Sequence, residues 1–419
     1  MLRWYKCLVL LLGVSLLASS CALPGAAPVE PVDNLVGTMV AATLSAGAVE
    51  EAVEQPAALD EEPASQPEPD VQEPPPAILP HAVYYLSDLE EMMQVWRLER
   101  DSITQTRITF EPTEVQNFDV SPRDGSVIYM SNNQLYWVDS SGAGRRMLFD
   151  GGPVDRYSEE SYFKMLSSPR WSPDGRTIAY GYGGIHLYNF ETGDSTLILE
   201  NQVEVYDEIT MPVALYFPNN WSPDGSRLLV NLSWFEGGTY GFIELATGEL
   251  TGPEMEGILC CNPVWTPDSR GILFGYHQMG MLMPGLWRME AATGSGTKLI
   301  PTEFPTGTIN YVNWPVQLPG GGLQYFFHSA SSDIDMSEPH PMVMTRSGPD
   351  GVAGRELIRP DKLNIIDALW VPDGSLALVI EEPPLDQGPL RRGAMLLVHT
   401  DGSPIRPLVQ SAADPRWGP

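Results

Sequence analysis

The chain has 419 residues, of which 24 are basic and 54 are acidic, and its formal net charge at pH 7 is −30. A surface with this charge repels the phosphate backbone of nucleic acids, so nucleic-acid binding is not expected. The length exceeds that of a usual single domain, although closed all-β folds can reach it as one unit.

The first residues combine a basic start, an apolar run from Cys7 to Ala18, and small residues before Cys21. This order is typical of a secretory signal, and the run is too short to be a comfortable membrane span. The stretch "LASSC" resembles a bacterial lipobox, although Ala18 stands where that family usually has a large aliphatic residue. The resemblance implies that residues 1–20 are a lipoprotein signal peptide and that Cys21 carries a lipid anchor on the extracytoplasmic face of the membrane. Plain secretion with cleavage nearby is the alternative.

The next stretch is acidic and rich in proline and alanine. Residues 22–80 contain eleven acidic residues, no Lys or Arg, and no aromatic residue. Such a segment cannot bury enough apolar surface to offset its ordering entropy. Residues 21–80 are therefore predicted to be the lipidated cysteine followed by a disordered stalk, which holds the folded part away from the membrane.

A short motif then recurs along the chain. The stretch "PRWSPDGRTIAY" at 169–180 returns as "NNWSPDGSRLLV", "PVWTPDSRGILF" and "ALWVPDGSLALV". Ser-Pro-Asp-Gly favours a type I turn, and the flanking residues favour strands, so the motif predicts a hairpin. Two more strands follow in "IHLYNF" and "STLILE". Each repeat therefore predicts four strands, here called a, b, c and d, with the tryptophan at the end of strand a.

Four-stranded units at this spacing are typical of a β-propeller. The anchor positions, 44 to 56 residues apart, are Val120, Trp171, Trp221, Trp265, Trp314, Trp370 and Trp417. The anchors are predicted to pack between blades. Residues 81–110 supply strands b, c and d without a strand a, and "DPRW" near the end supplies strand a alone. Residues 81–419 are thus predicted to be a seven-bladed propeller closed by pairing of its first and last strands, with six blades if a weak unit is an insertion.

The repeat resembles that of TolB-type propellers, which have a W-S-P-D-G motif followed by a short apolar strand. The stretches at 171–175 and 221–225 match this motif, "WTPDS" and "WVPDG" match it closely, and the resemblance extends from about residue 81 onwards. Proteins of this family are mostly periplasmic or exported. The resemblance implies a fold and no catalytic residue, because propellers serve many functions.

Long connections join strands d to a and b to c, and in a four-stranded blade these emerge on the same face. Loops on a rigid scaffold are where binding surfaces usually lie. The residues expected to contact a partner there are Tyr157, Tyr162, Phe163, Trp234, Phe235, Met279, Met281, Met283, Arg391 and Arg392. Tyr216 and Phe217 lie on the same connections. The alternative is that these side chains cap the protein's own core.

The sequence predicts no enzyme, no cofactor and no metal site. It has no G-x-S-x-G motif and no phosphate-binding glycine loop, and seven blades leave no room for a hydrolase domain. His328 and His340 flank one loop and could meet, and Asp333, Asp335 and Glu338 between them could hold a hard cation. Ordinary surface histidines and a solvated acidic loop are the favoured interpretations. Adjacent Cys260 and Cys261 are expected to be reduced, with a strained disulfide as the alternative.

The expected function is that of a non-catalytic scaffold lipoprotein at the cell envelope, which binds a protein or peptide through the loop-rich face as a monomeric propeller. A carbohydrate-binding or carbohydrate-active propeller is the alternative, because carboxylates that act on glycans would show no local motif. A purely structural role is the third.

Overall fold

The computed structural model of the protein describes residues 77–207, 209–234, 237–252, 262–276, 284–302, 307–331, 340–382 and 392–419. The chain divides into two units, Met1–Val71 and Gln72–Pro419, and all described residues belong to the second. Cys21 and most of the predicted stalk lie outside the described residues. Within them, no helix combines the length and apolar character that crossing a bilayer requires.

The described part is built of strands, with one short helix, α1 (Ser161–Lys164). The strands of the first half are β1 (Val83–Ser87), β2 (Gln94–Leu98), β3 (Gln105–Arg107), β4 (Val115–Val120), β5 (Val127–Ser131), β6 (Gln134–Val138), β7 (Arg146–Asp150), β8 (Ser167–Trp171), β9 (Thr177–Gly181), β10 (Gly184–Asn189), β11 (Ser195–Glu200), β12 (Gln202–Tyr206), β13 (Ile209–Trp221), β14 (Arg227–Trp234), β15 (Gly237–Glu244) and β16 (Glu249–Thr251). The strands of the second half are β17 (Val264–Trp265), β18 (Gly271–Tyr276), β19 (Gly285–Glu290), β20 (Gly296–Ile300), β21 (Thr308–Gln317), β22 (Leu323–Ser331), β23 (Val343–Ser347), β24 (Glu356–Leu357), β25 (Ile365–Trp370), β26 (Leu376–Glu381), β27 (Gly393–His399) and β28 (Arg406–Trp417).

Strands that follow one another along the chain pair antiparallel, and the same four-stranded unit recurs. Strands β4 to β7 form one sheet, and β8 to β11 form another. Strands β13 to β16 form a third unit, which β12 extends at one edge. The units β17 to β20 and β21 to β24 are joined through a single pair, Tyr276 with Val312. Each unit thus has the a-b-c-d order that the repeat predicts.

The turn of the repeated motif is closed by its serine and aspartate. The Ser172 hydroxyl donates to Asp174 at 2.6 Å and accepts the Thr177 N–H at 2.9 Å. Gly175 has φ +66°, which a residue with a side chain adopts only with strain. Ser222 makes the same two bonds with Asp224 and Arg227 in the next repeat. The motif therefore acts as a local hairpin, as its sequence indicates.

The anchoring tryptophans link consecutive units. Their side chains are buried, except that Trp417 is partly buried, and most donate an indole N–H to a backbone carbonyl at or just before the anchor of the preceding unit. These bonds are Trp221 to Arg170 (3.2 Å), Trp265 to Asn220 (3.3 Å), Trp370 to Trp314 (2.8 Å) and Trp417 to Trp370 (3.0 Å). Trp171 instead lies edge-on against Phe190 within its own unit.

Strand β28 takes part in two units. Its first part pairs with β27, with Val409 opposite Met395, and its last part pairs with β1, with Trp417 opposite Val83. The residues "DPRW" thus lie beside the strands of residues 83–107, as the sequence predicts.

The hydrophobic core lies between the faces of neighbouring units. One cluster packs Ile128 of β5 against Trp171 and Ile178 of the next unit. Another joins Tyr85 of β1 to Leu378 of β26, on the two sides of β28. Burial between sheet faces leaves the connections between units free to form surface.

Candidate partner-binding surface

Two of the long d–a connections form one continuous surface, made of residues 153–165 and the β12–β13 hairpin of residues 202–213, called here the hairpin surface. Glu159 accepts the Thr210 N–H at 3.1 Å. The Asn201 side chain donates to the Tyr162 carbonyl at 2.7 Å and accepts the Tyr216 N–H at 2.8 Å. These bonds fix the position of one connection relative to the other.

The first of these connections is also held to the unit beneath it. The Asn133 side chain donates to the carbonyls of Gly152 at 2.8 Å and Lys164 at 2.9 Å. Its oxygen accepts the Leu166 N–H at 2.7 Å. The connection of residues 153–165 is therefore held near both of its ends by the Asn133 side chain, which supports the hairpin surface from the sheet beneath it.

The hairpin surface exposes large apolar side chains. Tyr157 is 88% exposed, Val205 is 68% exposed, and Tyr206 and Ile209 are each 58% exposed. Phe163, Met165 and Val213 are also exposed. Single exposed apolar residues are common, but a cluster on two linked segments is typical of an interaction site.

The structure places the predicted contact residues in different environments. Tyr157 and Phe163 lie on the hairpin surface, and Tyr162 is half-buried there. Trp234 is half-buried at the end of β14, opposite Gly237. Arg392 pairs with Asp88 at 2.9 Å, beside the β1 and β27 strands.

Other predicted residues differ from the expectation or lie outside the described part. Tyr216 is buried in the hydrophobic cluster that packs the unit of β9 against the unit of β14. For this residue, the alternative that it caps the protein's own core therefore holds. The remaining predicted contacts, which lie outside the described residues, are Phe235, Met279, Met281, Met283 and Arg391.

The sequence predicts only a long d–a connection before Trp221 and no hairpin. The structure instead forms two paired strands with a turn at Asp207, whose φ is +47°. The alternation in "QVEVY" and the acidic turn after it could have indicated this. Val205, Tyr206, Ile209 and Val213 therefore join the candidate site.

A second group of residues, which are charged, is also not predicted from the sequence. Arg416 lies 2.7 Å from Asp414 and 3.9 Å from Asp119, and Asp119 also accepts the Trp171 N–H at 2.7 Å. Arg170 donates to the Asn219 carbonyl at 2.8 Å. These residues lie on the first strands of different units, at or near the position before the anchor. The only local signal is a charged residue before the anchor, as in "PRW" and "FDV".

The charges in this cluster are desolvated. Burial raises the pKa of Asp119, against the opposing effect of Arg170 and Arg416. Burial, helped by the negative charge of Asp414, raises the pKa of Asp367 to about 6. Burial lowers the pKa of Arg170. The cluster contains charges of both signs that are bonded to one another or to backbone, which fits a role in holding units together.

His328 and His340 do meet, which corrects the interpretation of both as ordinary surface histidines. Their rings stack with centroids 5.4 Å apart, and Tyr311 stacks on His340 at 4.1 Å. Both are half-buried, and burial lowers the pKa of each. Asp333, Asp335 and Glu338 lie outside the described residues, as do Cys260 and Cys261. Within the described part, no three His, Cys, Asp or Glu residues are grouped so as to hold a metal ion.

Comparisons with known proteins concern the fold. No protein-family model and no curated protein sequence matches this chain. TolB from Acinetobacter baumannii has a similar structure, with 16% identity over 82% of this chain and 68% of that chain, and a TM-score of 0.42. Oligogalacturonate lyase from Vibrio parahaemolyticus is similar with 12% identity over 80% and 86%, and a TM-score of 0.49. A prolyl endopeptidase is similar with 11% identity over 80% and 49%, and a TM-score of 0.49.

These findings bear on two predictions. The all-β fold of antiparallel four-stranded units is confirmed by the structure, and it is consistent with a β-propeller. The prediction that the protein is not an enzyme is contradicted, because the neighbours also include a lyase and a peptidase. The prediction rested on the lack of a nucleophile motif and of room for a separate catalytic domain. Chemistry carried by the loops of a propeller needs neither of these features. At this identity the neighbours establish no activity for this chain.

Proposed function

We propose that this protein is an exported, lipid-anchored propeller that binds a protein or peptide partner at the cell envelope through the hairpin surface. The observation that carries the proposal is the group of exposed apolar side chains on two connections that are bonded to each other and to the sheets below. Tyr157, Tyr206 and Ile209 are more than half exposed. Aromatic and aliphatic side chains on a preorganised surface are typical of interface centres.

The anchor and the stalk belong to the same proposal. The basic start, the apolar run and Cys21 support a lipidated N-terminus, and the acidic, proline-rich stretch after it supports an extended spacer. A spacer of this kind would let the hairpin surface reach partners away from the bilayer.

The number of blades is also a proposal. Seven hydrophobic clusters occur in the described part, and each packs one four-stranded unit against the next. One of them joins the unit of β25 to β28 to the strands β1 and β2. Together with the pairing of β28 and β1, this arrangement supports seven blades in a closed ring.

The test is a comparison of two matched variants in a pull-down from solubilised envelope. The first variant of the full chain carries Tyr157→Ala, Tyr206→Ala and Ile209→Ala on the hairpin surface. The control carries Ile103→Ala, Phe110→Ala and Leu357→Ala, which replace residues that are also more than half exposed but lie elsewhere. The proposal predicts one protein that the unmodified chain and the control recover and the first variant does not. Equal recovery by all three baits would refute it.

A further inference from the structure

The β12–β13 hairpin has two edges with different hydrogen-bonding capacity. Gln202 lies opposite Ala214, but Val203 lies opposite Pro212, so Val213 is an extra residue that forms a bulge in β13. Beyond the bulge, Val205 lies opposite Thr210. The Thr210 N–H points to Glu159, away from β12.

This direction fixes the orientation of the remaining backbone groups. In an antiparallel pair, opposite residues alternate between hydrogen-bonded and non-hydrogen-bonded. Because Thr210 donates outwards, Thr210 and Val205 form a non-hydrogen-bonded pair, and so do Pro212 and Val203. The N–H and C=O groups of Val203 and Val205 therefore point away from the hairpin, along the free edge of β12.

The two edges differ accordingly. On β13, the outward Thr210 N–H is occupied by Glu159, and Pro212 has no N–H to offer. A capped donor and a proline are common ways to protect a strand edge from pairing. On β12, the outward groups of Val203 and Val205 have no hydrogen-bond partner among the described residues. The hairpin is thus protected on one edge and open on the other.

The geometry points to β12 as the site where an extended segment of a partner protein adds as a further strand, with basic and β-branched residues alternating along it. This inference rests on the proposed function and specifies how the hairpin surface would bind. Strand addition gives affinity through main-chain hydrogen bonds and specificity through alternate side chains. Val205 would contact an apolar side chain of the added strand.

Charge decides which occupant fits. Residues 200–213 contain four acidic residues and no basic residue, and Glu200, Glu204 and Asp207 are exposed. A second copy of this chain would place these carboxylates opposite one another, which is unfavourable across paired strands. The chain's own residues 22–80 are also acidic, with eleven acidic residues and no Lys or Arg, so they are repelled as well. A segment with Lys or Arg at alternate positions is attracted instead.

The test uses the full chain and a labelled ten-residue peptide of alternating Lys and Val, with binding followed by fluorescence anisotropy. Val205→Pro removes one outward N–H, and proline is tolerated on an edge strand where the N–H faces solvent. Val205→Thr is the control that keeps the N–H and the branched shape. We expect Val205→Pro to weaken binding about tenfold, as loss of one hydrogen bond implies, and Val205→Thr to change it less than about twofold.

A second measurement leaves the protein unchanged. The same peptide with N-methyl groups on alternate residues loses the backbone donors of one edge, and we expect it to bind at least about tenfold more weakly. Binding should also weaken with added salt. Failure of the unmodified peptide to bind the unmodified chain would overturn the inference. So would binding of this peptide to Val205→Pro as tightly as to the unmodified chain, together with binding of the N-methylated peptide as tightly as the unmodified peptide. A concentration-dependent dimer that Val205→Pro abolishes would also overturn it, by assigning the edge to a second copy.

Failure of this inference and failure of the proposed function are distinguishable. If the pull-down partner is lost with the Tyr157, Tyr206 and Ile209 variant but is kept with Val205→Pro, the hairpin surface binds through side chains alone and strand addition is wrong. If the partner is also kept by the triple variant, the proposed function is wrong.

Discussion

The pKa of Asp367 provides a sharp test of the charged cluster between units. Asp367 lies on β25, where its carboxylate accepts the Ala368 N–H at 2.8 Å. Burial and the nearby Asp414 raise its pKa to about 6 from the ordinary 3.8, while Arg416 opposes the shift. The folded state therefore binds more protons than the unfolded state between pH 4 and 6. The contribution of Asp367 to stability is fully present below pH 4 and is lost as the pH rises through 6.

The magnitude follows from the two pKa values. The difference corresponds to about 3 kcal/mol if the unfolded chain has the ordinary pKa. Because the residue keeps some access to solvent, screening reduces this value, and we expect about 1 to 2 kcal/mol. Asp367→Asn keeps an oxygen acceptor for the Ala368 N–H but cannot ionise. Relative to the unmodified chain, this variant should thus gain about 1 to 2 kcal/mol of stability between pH 4 and pH 8.

The assay is denaturant unfolding followed by tryptophan fluorescence at a series of pH values from 4 to 8. Asp373→Asn is the matched control on the next turn, because the N–H of Ser375 lowers the pKa of Asp373. The Asp373→Asn variant should be less stable than the unmodified chain by a nearly constant amount from pH 5 to 8, because the stabilisation that comes from a lowered pKa is lost only as the pH falls to about 4 and below. A difference between Asp367→Asn and the unmodified chain that is constant across this range would refute a raised pKa for Asp367.

Two further predictions concern the contacts between strands and units. Burial lowers the pKa of His328 and His340 below 6.5, so the unfolded state binds more protons and stability should fall as the pH drops through and below 6.5. The His340→Gln variant should lose less stability over this range. Ring-proton titrations by NMR that give ordinary pKa values for the two histidines would contradict this prediction. Trp417→Phe removes the 3.0 Å bond to the Trp370 carbonyl and should cost about 1 to 3 kcal/mol in denaturant unfolding. Trp171→Phe should cost less, because the Trp171 indole N–H has no partner in the described part of the chain; equal losses would show that the bond contributes nothing.

Local information predicted much of the fold. The motif that begins at Ser172 closes its own turn through Asp174 and Gly175, so the hairpin and its spacing could be read from a few neighbouring residues. The unit spacing then indicated four-stranded repeats, and "DPRW" indicated the pairing of β28 with β1.

The site was less predictable because it depends on contacts between distant segments. Glu159 and Thr210 come from different connections, and only the folded chain shows that one caps the other. Asp119 and Arg416 meet because β28 returns beside β1. Apolar residues on a long connection could equally be core or surface, and the structure separates buried Tyr216 from exposed Tyr206.

The most direct test of partner binding is photo-crosslinking of the full chain in intact cells that produce it. A photoreactive phenylalanine derivative would replace Tyr206 on the hairpin surface in one variant and Ile103, which is similarly exposed elsewhere, in another. The proposed function predicts a discrete crosslinked protein from position 206 that is absent from position 103. Identical crosslinks from both positions, or none from position 206, would contradict binding through the hairpin surface.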